Sequence, residues 1–150
     1  MWLAYTETAT EVFDLFSSFI KKIFVTQKQA LRIVKKMAFI ESCRNVFRAC
    51  GILTVYGLYI YECLVFFFKN RNMFDLQISH NYNTRTLNVN YPSHRLTLTE
   101  KNPCYSCLKL FNKLPNNIKC INSLKLFKIR VKQLLVNLEP YSISDYVNRN

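Results

Sequence analysis

Glycine is almost missing from this sequence, with only Gly51 and Gly57 in 150 residues. A loop that cradles phosphate through backbone N–H groups needs several glycines close together, so that class of nucleotide site is excluded. Acidic residues are also scarce, nine against 21 basic ones, and no two of them are adjacent. The sequence therefore offers no carboxylate pair of the kind that holds divalent ions for phosphoryl transfer. The two histidines, His80 and His94, have no carboxylate beside them to orient a ring for acid–base work. Glu7, Glu11 and Asp14 interrupt the N-terminal stretch, and no basic segment precedes an apolar run, so it does not read as a signal peptide. An intracellular location, nucleus or cytoplasm and not secreted, is expected, with the six cysteines as free thiols. The longest apolar run, 52–68, contains Glu62 and falls short of the roughly 20 apolar residues that cross a bilayer. It is expected as a buried helix. Association with a membrane through 52–68 is the alternative.

What is present is hydrophobic mass and positive charge. Half the residues are hydrophobic, including twelve Phe and nine Tyr, which suffices for one core. The formal charge is +12, with 10 basic and 6 acidic residues up to Asp75 and 11 basic and 3 acidic after it. A basic excess of this size attracts polyanions, although charge alone does not choose among DNA, RNA, anionic lipid or an acidic protein.

Apolar residues recur at helical spacing along most of the chain. Thr10 is placed to cap a helix whose stripe runs through Val12, Phe13, Phe16, Phe19, Ile20, Ile23 and Phe24. The same period continues through Ala30, Leu31, Val34 and Met37, either as one helix or with a break near Val25 and Thr26. A short helix is expected around Val46 and Phe47, with Ser42 as a cap and Gly51 as a stop. The apolar run ending at Arg71 is expected to be helical on its length. Pro103 suits a helix first turn, Pro115 and the two asparagines after it suggest a turn, and Asn122 or Ser123 can cap a last long helix. That helix has Leu124, Phe127, Val131, Leu134 or Leu135, and Leu138 on one face and Lys125, Lys128 and Lys132 on the other. The predicted fold class is mainly α, a helical bundle-like fragment with a central polar loop segment. The expected divisions are an amphipathic helix at 1–25, an apolar helical region at 26–74, the polar loop at 75–101, a helical hairpin-like region at 102–138 and a loosely held tail at 139–150.

Two clusters invite a chemical reading. Cys104 and Cys107 have metal or redox spacing, and Cys120 and His94 complete a ligand set that can be drawn. Zinc sites, however, usually come as two close pairs, and thiol redox motifs sit in a βαβ context that is missing here. Packing is the expected role of these thiols, and no metal or cofactor is expected. The second cluster interleaves basic and aromatic residues, namely Tyr82, Arg85, His94 and Arg95, with Lys101, Lys109 and Lys113 extending it. Arginine forks suit phosphate and tyrosines stack on bases, so these seven are the candidate nucleic-acid contacts.

Six phrases occur in a specific order: QKQALRIV (27–34), ESCRNVF (41–47), GILTVYGLYIYECLVF (51–66), YNTR (82–85), HRLTLTEKNPCY (94–105) and KLFNKLPNNIK (109–119). Together they resemble the C-terminal region of reverse transcriptases from jockey-like non-LTR retrotransposons, over roughly 26–138. The resemblance implies an RNA-directed DNA polymerase lineage whose metal-holding Tyr-x-Asp-Asp turn lies upstream of the matching region and has no counterpart here. It also implies a non-catalytic fragment, not an enzyme in itself, with RNA or DNA and the missing polymerase core as partners and no small-molecule substrate. Tyr82 to Arg85 match one family phrase, and His94 with Arg95 match another. The chain departs from the pattern at Val55 and Tyr56, where the family commonly has Leu-Pro, at Cys107, where it often has a small residue, and throughout the stretch before Val25. The alternative from another class is a small helical protein-interaction module with no nucleic-acid role.

Overall fold

The computed structural model describes residues 2–71, 89 and 103–149. Among these residues there are seven helices and no strand, in agreement with the mainly α expectation. In chain order they are α1 (Trp2–Lys35), α2 (Val46–Ala49), α3 (Val55–Lys69), α4 (Pro103–Asn112), α5 (Asn116–Lys119), α6 (Leu124–Leu138) and α7 (Ile143–Val147).

Helix α3 is the centre of the main core. Its Ile60, Leu64 and Phe67 are fully buried against Leu108 and Phe111 of α4, Ile118 of α5, Phe127, Val131 and Leu135 of α6, and Tyr146 of α7. Phe67 stacks on Phe111 with centroids 4.4 Å apart, and Phe68 meets Phe127 at the same distance. Burying each such ring contributes about 2–3 kcal/mol. At 15 residues α3 spans about 22 Å, and Glu62 is exposed on it. No helix among the described residues is long and apolar enough to cross a membrane.

Helix α1 runs without a break through Val25 and Thr26, resolving the two expected possibilities in favour of one helix. Its C-terminal half builds a second, smaller core, where Phe24 and Leu31 pack with Cys43 and Phe47. Tyr56 and Tyr141 meet the Phe24 ring edge-on at 5.3 and 4.9 Å. The expected inward stripe does not extend to Val34 and Met37. Lys36 takes a left-handed φ of 53° and ends the helix. The Lys36 N–H then bonds Ile33 O and the Met37 N–H bonds Arg32 O, a Schellman closure. Val34 is 74 % exposed because nothing packs beside it after the chain turns away.

Other local expectations shift in detail. Asn45, not Ser42, precedes α2, in a left-handed conformation, while Gly51 follows it at φ 65° as expected of a stop. The expected turn after Pro115 is the one-turn helix α5. Ser123 stands at the start of α6 but makes no side-chain cap bond. The stretch expected as a loosely held tail carries α7, which starts with a reciprocal capping box between Ser142 and Asp145. Tyr146 is fully buried there, and its hydroxyl donates to Leu110 O at 3.1 Å. A buried tyrosine hydroxyl needs a partner, and the C-terminal half of α4 supplies the Leu110 carbonyl, which also accepts the Lys113 N–H at 3.3 Å.

Thr54 joins the two cores. Its hydroxyl accepts the Gly57 N–H at 3.0 Å, capping α3, and donates to Pro140 O at 2.6 Å. It is 1 % exposed. A Cβ at Gly57 would lie 3.2 Å from the Thr54 hydroxyl and 3.6 Å from the Pro140 ring, so this joint is tight around a small residue. Thr54→Val keeps the shape and strands both partners, and it should cost roughly 2–3 kcal/mol in urea unfolding with an unchanged slope. Thr54→Ser should retain most of that stability.

The Asp145 carboxylate is held below the ordinary aspartate range. The Ser142 hydroxyl contributes most, partial burial opposes it, and the N–H groups of Tyr141 and Ser142 and the charge of Arg44 add to it. The folded value is lower than the unfolded one, so this support for α7 is complete above the ordinary aspartate pKa. It is lost as pH falls below that value through the lowered one. The Tyr146 ring resonances should therefore report undocking of α7 in acid, and Asp145→Asn should remove that acid dependence.

Candidate nucleic-acid interface

The C-terminal end of α4 is built from polar side chains that reach backbone groups. The Asn112 side chain accepts the Val89 N–H and donates to the Val89 carbonyl, both at 2.8 Å. An amide that bonds both faces of one residue mimics a strand partner and fixes the position of that residue. Val89 is thus tied to the last turn of α4, which also carries Lys109. Lys119, buried to 6 % exposure, donates from Nζ to Asn112 O at 2.8 Å, and burial holds its pKa down. Arg149 donates to Lys113 O at 3.0 Å and lies 5.3 Å from the Tyr146 ring. Cations at a helix C-terminus also meet the negative end of its dipole.

Lys109, on α4, and Lys113, in the turn just after it, are both exposed. Tyr82, Arg85, His94, Arg95 and Lys101 lie outside the described residues, as does His80. Arg71 was not among the candidates. Its guanidinium sits 4.1 Å from the Phe68 ring centroid and 5.7 Å from that of Phe111. Its Nε and Nη2 are buried with no hydrogen-bond partner, and burial lowers its pKa. The signal available in the sequence was the run of basic and amide residues closing the apolar stretch, Lys69, Asn70 and Arg71.

The basic residues beyond α4 form rows. Lys21, Lys28, Arg32 and Lys35 recur at intervals that place them along one side of α1, and Lys125, Lys128 and Lys132 do the same on α6. The nearby acids are engaged elsewhere. Glu139 accepts the Asn45 and Arg48 N–H groups at 2.7 and 3.0 Å, and Glu41 accepts the Ala38 N–H at 3.1 Å. Asp145 is held by the cap of α7. These carboxylates close turns and helix starts.

The cysteine cluster suggested by spacing is divided. Cys107 is 3 % exposed within the main core, and Cys120 is exposed. Among the described residues no three His, Cys, Asp or Glu side chains converge as a metal site would require. Cys107 faces α3 and packs there, the role expected of it.

Among known proteins, no family model, curated protein or solved structure matches this chain.

Asn112→Ala removes both bonds to Val89 and should raise hydrogen exchange at the Val89 amide about tenfold. Helix content should stay unchanged by circular dichroism. An unchanged exchange rate would show that the amide pairing does not hold Val89.

Proposed function

We propose that this chain is a non-catalytic C-terminal fragment of a non-LTR retrotransposon RNA-directed DNA polymerase, one that binds RNA or DNA through a basic surface. The lineage rests on the six ordered phrases between 27 and 119. The binding half rests on one observation above the rest: Lys21, Lys28, Arg32 and Lys35 line one side of α1 and Lys125, Lys128 and Lys132 line one side of α6, while Glu41, Glu139 and Asp145 are hydrogen-bonded to backbone N–H groups. Attraction of this kind is electrostatic and indifferent to sequence, and bound counterions are released when phosphates replace them. Lys109 on α4 and Lys113 just after it extend the charge, next to the tie that holds Val89.

A second reading, the helical protein-interaction module, has its own observation. Ile33, Val34, Phe39 and Ile40 are 78, 74, 77 and 92 % exposed around the end of α1. The Arg32 Nε donates to Glu41 O, and the Glu41 carboxylate accepts the Ala38 N–H, so this turn is braced with its apolar side chains outward. Clusters of large apolar side chains held in water mark contact surfaces for proteins. A polymerase core or another protein would fit this tip, whereas nucleic acid would not.

The two readings separate in a salt titration. Fluorescence anisotropy of a labelled RNA hairpin and a DNA duplex should give log K falling linearly with log salt. The variant Lys125→Gln/Lys128→Gln/Lys132→Gln should reduce the slope by about 2–3, near one per lost phosphate contact. Neutralising Arg85 and Arg95 should weaken binding further without unfolding. Affinity that is flat with salt, or indifferent to these changes, leaves the protein-interaction reading in its place. Template, primer, nucleotides and magnesium should yield no extension with this chain alone, and a product would end the non-catalytic reading.

A further inference from the structure

We propose that α1 pairs with α1 of a second copy of this chain, side by side and in opposite directions. The helix carries two apolar rows. Ile20, Phe24 and Leu31 form the first, which is buried against the rest of the molecule. Phe19, Ile23, Thr26, Ala30 and Ile33 form the second, about 100° further round the helix. All five are exposed, and Phe19, Ile23 and Ile33 are each more than half so. The intervals in this exposed row alternate between four and three residues. The same alternation runs back through Phe16, Val12, Ala9, Tyr5 and Trp2, all within the bounds of α1. Nine of these ten positions are apolar. A row that keeps this interval over nearly the whole of a long helix is a coiled-coil seam, since it stays on one line only when two helices wind around each other.

Length points to a second copy as the occupant. Helix α1 has 34 residues, about 51 Å, whereas α3 and α6 have 15 each. A second α1 matches the seam from end to end, and one patch meeting itself closes the pair about a two-fold axis. Charge sets the direction. The helix up to Ser18 holds Glu7, Glu11 and Asp14 and no base, and the remainder holds Lys21, Lys22, Lys28, Arg32 and Lys35 and no acid. Parallel helices would set acids beside acids and bases beside bases. Opposite directions set each acidic half beside a basic one and also oppose the two helix dipoles. Lys21, Lys28, Arg32 and Lys35 lie about 180° round the helix from the seam, so the pair keeps both basic rows on its outside. The proposed contact with nucleic acid is therefore left open, and the pairing does not rest on it. The apolar tip at Phe39 and Ile40 lies beyond the end of α1 and is not part of the seam.

The test is sedimentation equilibrium of the full chain at low salt, from about 1 to 100 μM. The expected particle has twice the 17.8 kDa mass of one chain. Ile23→Asp and Ile33→Asp lie outside both cores. Each should keep the near-ultraviolet circular dichroism of the cores and raise the dimer Kd roughly a hundredfold or more. Glu7→Gln/Glu11→Gln/Asp14→Asn should raise it about tenfold at low salt. The same change would tighten a parallel pair, because it removes repulsion between the acidic halves. Phe39→Ser/Ile40→Ser should leave the Kd unchanged. A monomer over the whole range, a dimer indifferent to Ile23→Asp, a dimer tightened by the neutralised acids, or a dimer lost with Phe39 and Ile40 would each overturn the proposal. So would a monomer that floats with phosphatidylglycerol vesicles through Ile23, since the row would then be a lipid face. If an aspartate variant fails to fold, Ile23→Ser and the neutralised acids decide.

Discussion

The fold depends on one buried hydroxyl. Thr54 stands where the chain enters α3, and its single oxygen serves two partners, the Gly57 N–H and the Pro140 carbonyl. The first bond starts the helix that both cores pack on. The second holds the segment between α6 and α7, and that segment delivers Tyr141 to the smaller core and Tyr146 to the larger. Gln27 reinforces the same joint, because its side chain donates to Leu53 O at 2.9 Å and accepts the Val55 N–H at 3.0 Å. The polar groups around the start of α3 are thus paired by side chains from α1 and by a carbonyl from the C-terminal segment. Buried backbone groups need partners, and here those partners are also the links between distant parts of the chain.

The same economy governs the acidic residues. Nine carboxylates cannot balance 21 cations, and Glu41 and Glu139 accept backbone amides. Glu139 takes a left-handed conformation at the end of α6 and reaches two N–H groups at α2, fixing the chain turn. A chain arranged this way attracts a polyanion or lacks a partner that supplies the missing negative charge. The outward apolar tip at Phe39 and Ile40 adds a second demand that charge alone does not meet.

Much of the helical layout was readable in advance because its causes are local. Apolar spacing marks α1, α3 and α6, Pro103 opens α4, and Gly51 closes the turn after α2. The misses were also local in appearance and tertiary in cause. Val34 continues the α1 period yet faces solvent, because Lys36 ends the helix before any neighbour covers that face. The stretch after Leu138 looked loose because it is short and polar, and its hold comes from Tyr146 reaching a carbonyl on α4. Within the candidate interface, Lys109 and Lys113 were readable from their spacing. Arg71 and Asn112 were not, since nothing in the sequence tells that one is sandwiched by phenylalanines and the other clasps Val89.

The sequence by itself determined the helical class, the wide apolar faces and the surplus of positive charge, because each follows from residue type and interval. Only the tertiary structure decided which polar atoms meet: Thr54 with Pro140, Glu139 with Asn45 and Arg48, and Tyr146 with Leu110. Hydrogen bonds are short and directional, so their pairing is fixed by how the helices pack, and no spacing along one strand of sequence encodes it.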